Sequence, residues 1–418
     1  MSYLEMGRIG RSMETVGSKK IKLSNPLYNF IVKGQNIYCF SWKYNCFLKI
    51  NISSGEIVDK WAVKEYLPNA YMLFRLINVK DSIVAFPYTA NCVLKWKTCS
   101  SEPEKISLPF NFSDDTIVRK FNTFAIKEEE LFLFPADIDY VCCLNIKSNE
   151  IKEVLNIKKY LWDRYRLQYS FLFANGSYLF NDKVYLGCWE SNNIVIYDIG
   201  DNTAELVCIE EIETGVRSIC GYENKLFILS SDGKVAMRNL DETETAVVSV
   251  CYEDEMQHWN TGEERMVYAA GYVFLFTEKI ELSRRIRISD GHTEFFFDEQ
   301  TMLRMKWKDP DTEIFFGAFV KGKIYVYSDM GDIYWYDAVS KEKVGYTCLK
   351  YDGEELAQWI RGNSSSGINI REDGYIYRLL DLFALVTQKD KEIEYFSQAT
   401  DVGKSIYMNT IKIQNEER

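Results

Sequence analysis

The sequence is poor in histidine, in proline and in long apolar runs. Only His258 and His292 occur among 418 residues, so a metal centre or catalytic triad built on several histidines is excluded by count. No stretch reaches the roughly 20 apolar residues of a membrane-spanning helix, and Met-Ser-Tyr-Leu-Glu-Met-Gly-Arg at the start lacks the apolar core of a secretory signal. No membrane partner is therefore expected. Phosphate-cradling and dinucleotide-binding glycine patterns are missing as well. Seven prolines and no low-complexity segment argue against disorder. A net charge of -11 argues against nucleic acid as the partner. There is no Cys-x-x-Cys pair among the eleven cysteines, most of which sit in apolar segments where a reduced thiol acts as a small buried hydrophobe. Cys142 and Cys143, adjacent in such a segment, should point to opposite faces of a strand. A cytoplasmic location is the resulting expectation.

What the chain does have is a repeat, clearest in Gly322-Lys-Ile-Tyr-Val-Tyr-Ser-Asp-Met-Gly-Asp-Ile-Tyr-Trp-Tyr-Asp-Ala-Val-Ser-Lys-Glu-Lys-Val344. Ile324 and Val326, then Ile333 and Trp335, alternate with tyrosines and polar residues, the period-2 pattern of two strands. The loop between them contains Gly331, which tolerates positive φ, and Asp337 opens a second turn. Weaker copies recur on Tyr38, Val84, Phe132, Tyr185, Phe227, Phe274 and Tyr325, spaced by 46, 48, 53, 42, 47 and 51 residues. Ahead of most copies stands a further short run, as in Phe74-Arg-Leu-Ile-Asn-Val79 or Phe315-Phe-Gly-Ala-Phe-Val320. Small residues in these runs suit a strand that crowds its neighbours around a central axis. A period of 40 to 50 residues is that of four-stranded propeller blades.

Gly322, Tyr325, Gly331, Tyr334 and Asp337 carry a resemblance to the repeat of quinoprotein-like and kelch-like β-propellers. The segment lacks the Gly-Gly doublet of kelch, and Trp335-Tyr336 stand where the quinoprotein pattern has a small residue. The resemblance thus implies architecture and no cofactor. The expected fold is all-β: one β-propeller of about seven four-stranded blades, with eight as the alternative, and a short C-terminal helix. The whole of 1–418 reads as a single domain. Residues 1–25 form a closing segment in which Lys20-Ile-Lys-Leu23 would supply the last blade's outer strand, and 26–351 are the blades. Residues 352–418 are a closing blade or helical tail, with Ser366-Gly-Ile-Asn-Ile370 as an inner strand and Leu379, Leu382, Phe383 and Val386 on one helical face.

Two recurrences point to a site. An arginine stands at the entrance of several inner strands: Arg75, Arg119, Arg217, Arg265 and Arg361. Arg75, Arg217 and Arg265 lie 9, 10 and 9 residues before Val84, Phe227 and Phe274, hence at one height. Converging guanidinium groups in an acidic chain would offer bidentate forks to carboxylate or phosphate; pairing with a neighbouring blade's acid is the plainer account. Tryptophans recur in the preceding connections, at Trp61, Trp162, Trp259, Trp307 and Trp359, and arginine with aromatic residues dominates binding hot spots. Capping of the gaps between blades explains them equally well.

The expected function is therefore binding, at a central mouth, of a peptide or protein segment of acidic character. The alternative is an enzyme or small-ligand propeller acting on a glycan or anionic metabolite in the same pocket, with His258 among acidic neighbours as its base. No nucleophile, base and orienting group stand at a recognisable spacing.

Overall fold

The computed structural model describes residues 30–41, 46–62, 74–97, 102–110, 118–166, 173–241, 244–250, 265–277, 280–306, 314–328, 331–350, 359, 368–370 and 376–378. They form seven four-stranded antiparallel sheets, each from four consecutive strands, arranged in a ring. The chain is a seven-bladed β-propeller.

The second strand of each blade explains why the repeat was visible. In Glu130–Pro135, Leu131 and Leu133 face the core shared with blade 2, while Phe132 and Phe134 face the core shared with blade 4. Both faces are buried, so the strand reads as a continuous apolar run. Cys142 and Cys143, on the neighbouring strand, divide between the same two cores, as their adjacency required. Seven such cores, one per blade junction, make up the hydrophobic interior.

Turn chemistry fixes the register. Each inner strand joins the second strand through two residues, with left-handed backbone at Gly34, Lys80, Glu128, Asn181, Glu223, Ala270 and Lys321, the conformation that matches strand twist in tight hairpins. At the end of the third strand, Asn51, Asn145, Asp198, Asn239 and Asp337 accept backbone N–H bonds two or three residues ahead through Oδ1, an Asx turn into the outer strand.

The ring closes between blades 7 and 1. Gly317 in the last inner strand, Ile314–Val320, lies directly against the ring of Phe30 in the first, Phe30–Lys33. Further out, Lys350 pairs in parallel with Glu56 and donates to the Gly55 carbonyl at 2.7 Å. The outer place of blade 7 is taken by Lys343–Cys348; Lys20–Leu23, expected there, lies outside the described residues. So do Leu379 to Val386 of the expected C-terminal helix. Ile368–Ile370 is a strand as expected; among the described residues it pairs only with Ile376–Arg378, in a two-stranded antiparallel sheet and not in a four-stranded eighth blade.

Among the described residues two α-helices interrupt the strands. Helix α1, Ile157–Tyr165, is capped by Asn156 and seats Ile157 and Leu161 in the core between blades 3 and 4. Helix α2, Glu299–Met305, is capped by Asp298 and seats Met302 and Met305 between blades 6 and 7. Among the described residues no helix is long and apolar enough to cross a membrane.

Candidate binding channel

Inner strands of all seven blades surround a cavity of about 580 Å³. Its residues sort by height. At the strand entrances stand Arg75, Asn122, Asn175, Ser218 and Arg265; at the hairpin end stand Val32, Ile126, Leu179, Phe319 and Val320, with Asn78 beside them. Both cations of the described lining thus stand at the strand-entrance level, and the lining at the hairpin level is mostly apolar.

The polar level is tied together across blades. Arg75 Nη2 donates to Asn122 Oδ1 at 2.8 Å and to Asn175 Oδ1 at 3.3 Å, and Nη1 donates to the Asn122 carbonyl. Asn122 Nδ2 in turn donates to the Phe173 carbonyl. Asn175 bridges Ser218 in the next blade, its carbonyl accepting from Ile219 N at 2.9 Å, and Ser218 Oγ accepts from Met266 N at 3.0 Å. A continuous polar seam therefore runs from blade 2 to blade 6. Tyr88 adds a cation–π contact, 5.4 Å from the Arg75 guanidinium carbon to its ring centre.

The predicted arginines separate for a reason visible in the register. Arg75 pairs with Phe86 and Arg265 with Phe276, each two residues past the anchor of its blade. In blade 5 the unbroken register from the hairpin puts Ser218 in that place, opposite Leu229, and Arg217 stands one residue beyond it, in the bulge between Val216 and Ser218. The bulge turns Arg217 aside onto Trp189, 4.0 Å from its ring centre. The offset of 10 residues rather than 9 marks this displacement by one residue. Arg119 precedes its strand and forks onto Asp137 at 2.7 Å, which raises the guanidinium pKa further and holds the Asp137 carboxyl below its ordinary range against the opposing effect of burial.

The tryptophans do not gather at the channel in the described residues. Trp162 lies on α1 and is 39% exposed. Trp61 packs beside Trp96, ring centres 5.9 Å apart, in the core of blades 1 and 2. Trp359 packs on the core of blades 7 and 1, with Lys60 Nζ 5.2 Å from its ring centre. Arg361, Trp259, Trp307 and His258 lie outside the described residues. His292 is a turn residue whose N–H donates to Asp290 Oδ1 at 3.0 Å.

Sequence reading missed Asn122, Asn175 and Ser218, although a lone amide inside an apolar run, as in Phe121-Asn-Thr-Phe124, marks a buried polar site. It also missed Lys120, which is 1% exposed and donates from Nζ to the Thr89 carbonyl at 2.6 Å. Burial pushes its ammonium down to about 8, with Asp137 acting in the other direction. Among the described residues no group of three or more His, Cys, Asp or Glu is placed to hold a metal ion.

No family profile matches this chain, and no curated protein does. The likenesses are of fold alone. Virginiamycin B lyase from Staphylococcus aureus superposes with a TM-score of 0.51 at 12% identity, over 72% of this chain and 92% of that one. The computationally designed Ika8 protein gives 0.50 at 10% identity, over 80% and 92%. Apo AztD from Citrobacter koseri gives 0.46 at 12% identity, over 74% and 93%.

Proposed function

We propose that this propeller is a binding protein that takes an acidic segment of a peptide or protein at the cationic mouth of its channel. One observation carries the reading: in a chain of net charge -11, the described residues lining the channel include two guanidinium groups, Arg75 and Arg265, and no carboxylate. Positive charge held locally in an acidic protein steers and selects anionic partners. A catalytic reading has less support. The hydroxyls of the described lining are those of Thr123, Ser177 and Ser218, and Ser177 Oγ donates to the Phe124 carbonyl while Ser218 Oγ serves the seam. The described cysteines are free thiols, most of them buried, and burial pushes those of Cys39 and Cys92 up to about 12; a reducing, intracellular setting accords with this.

Fluorescence anisotropy with a labelled glutamate-rich nonapeptide and its glutamine counterpart tests the proposal. The acidic peptide should bind, more weakly at higher salt, and Arg265→Gln should weaken it by a factor of about ten, as loss of one charge-assisted contact implies. Arg265→Gln is preferred to Arg75→Gln because Arg75 also ties blades 2, 3 and 4 together. Equal binding of both peptides, or an unchanged affinity in the variant, overturns the reading.

A further inference from the structure

The apolar end of the channel has no role in recognising an acidic segment that stays at the mouth. From the two ends together we infer that the channel takes a ligand with one carboxylate head and an apolar chain, the head at Arg75 and Arg265 and the chain running toward Ile126, Leu179 and Phe319. The inference rests on the anion-binding reading of the mouth and adds the chemistry of the ligand's other end.

Three features carry it. First, the polarity of the described lining changes along the axis in blades 2 to 6, where the strand-entrance level holds Arg75, Asn122, Asn175, Ser218 and Arg265; blades 7 and 1 add only apolar lining, Phe316 and Phe30 among it, and the hairpin level is apolar except for Asn78. A uniformly acidic peptide threaded inward would meet this apolar stretch and lose hydration without a partner. An alkyl or aliphatic chain gains free energy there instead. Second, about 580 Å³ falls within the range of pockets that enclose a small organic ligand, mostly apolar walls with a few convergent polar groups. Third, the polar seam fixes the height of the head. Asn122 and Asn175 hold Arg75 in place, so its charge is presented by a preorganised side chain. A fatty acid and the free C-terminus of an aliphatic peptide share this chemistry.

Isothermal titration of the full chain with hexanoate, octanoate, decanoate and 1-octanol, and with an aliphatic tetrapeptide as free acid and as amide, tests it. Octanoate is expected to bind at least about tenfold more tightly than 1-octanol. Each methylene added along the series should strengthen binding by up to about fourfold, the equivalent of burying one CH₂. Arg265→Gln should erase the difference between acid and alcohol while leaving the dependence on chain length. The tighter of octanoate and the peptide acid, each against its uncharged counterpart, identifies the source. If acid and alcohol bind alike, or length has no effect, the inference is wrong. If the glutamate-rich nonapeptide binds and no carboxylate of the series does, the inference fails alone and the acidic-segment reading stands. If neither binds, both fall.

Discussion

Replacing Gly317 by alanine tests the closure of the ring at its tightest point. A Cβ at this position would stand 1.8 Å from Cε1 and 2.0 Å from Cζ of Phe30, where carbon atoms in contact need about 3.5–4.0 Å. The ring would have to retreat by roughly 1.5–2 Å. It has little room, being 1% exposed and set edge-on to Tyr327 with centres 5.6 Å apart. Overpacking of a filled core costs about 1–3 kcal/mol, and outright expulsion of the ring approaches the roughly 3–5 kcal/mol of a Phe→Ala truncation. We expect Gly317→Ala to lose about 2–4 kcal/mol. The cause can be isolated by a double-mutant cycle. In a Phe30→Ala background the clash is gone, so adding Gly317→Ala should cost close to nothing, a coupling of at least about 2 kcal/mol. Urea unfolding followed by tryptophan fluorescence and by circular dichroism gives the energies, provided the two transitions coincide. Hydrogen exchange should show the loss of protection concentrated in blades 1 and 7. A Gly317→Ala protein within about 0.5 kcal/mol of wild type, or an equal cost in both backgrounds, would refute the argument.

Two further predictions concern buried cations. Lys120 keeps its proton to near pH 10.4 when unfolded but only to about 8 when folded. Between these values the unfolded chain binds more protons, so its contribution makes stability rise with pH across that window and is a constant penalty below it. Lys120→Met should therefore be more stable than wild type at pH 7, by up to about 2–3 kcal/mol, and should lack the alkaline rise; parallel stability profiles would rule this out. Arg285 of blade 6 joins Glu294 at 2.7 Å and donates to the carbonyls of Ala338 and Val339 in blade 7. Arg285→Ala should cost about 2–4 kcal/mol by leaving these groups without their cation, with Arg285→Lys recovering part; a loss under about 0.5 kcal/mol in urea unfolding would show the latch to be idle.

Arg285 also shows where periodicity fails. In the strand Arg284–Arg287 two adjacent arginines break the alternation of polarity, yet both are buried, Arg284 over Phe295 and Arg285 over Tyr272. Lys95 in blade 2 occupies the same place, opposite its anchor Val84, and likewise reaches the next blade, at the Ile146 carbonyl and Asn149 Oδ1. A cation at that position is an inter-blade latch, which only the neighbouring blade's carbonyls reveal. Similarly, the inner strand of blade 4 was not visible. It is Tyr178–Phe180, led in by isolated bridges at Phe173 and Asn175, and Asn175, Gly176 and Ser177 break any apolar run.

The sequence alone determined the blade: the doubly buried second strand and the repeat period are properties of residues near one another in the chain. It also determined that arginines enter the inner strands at nearly one height. The tertiary structure decided which of them meet. A bulge before Ser218 sends Arg217 to Trp189, an acid in its own blade takes Arg119, and Arg75 and Arg265 are left lining one channel. Strand periodicity gives the alternation of faces, but a ring brings residues from blades far apart in sequence to a common axis. Which face turns toward that axis is set by register and by the packing of neighbouring blades.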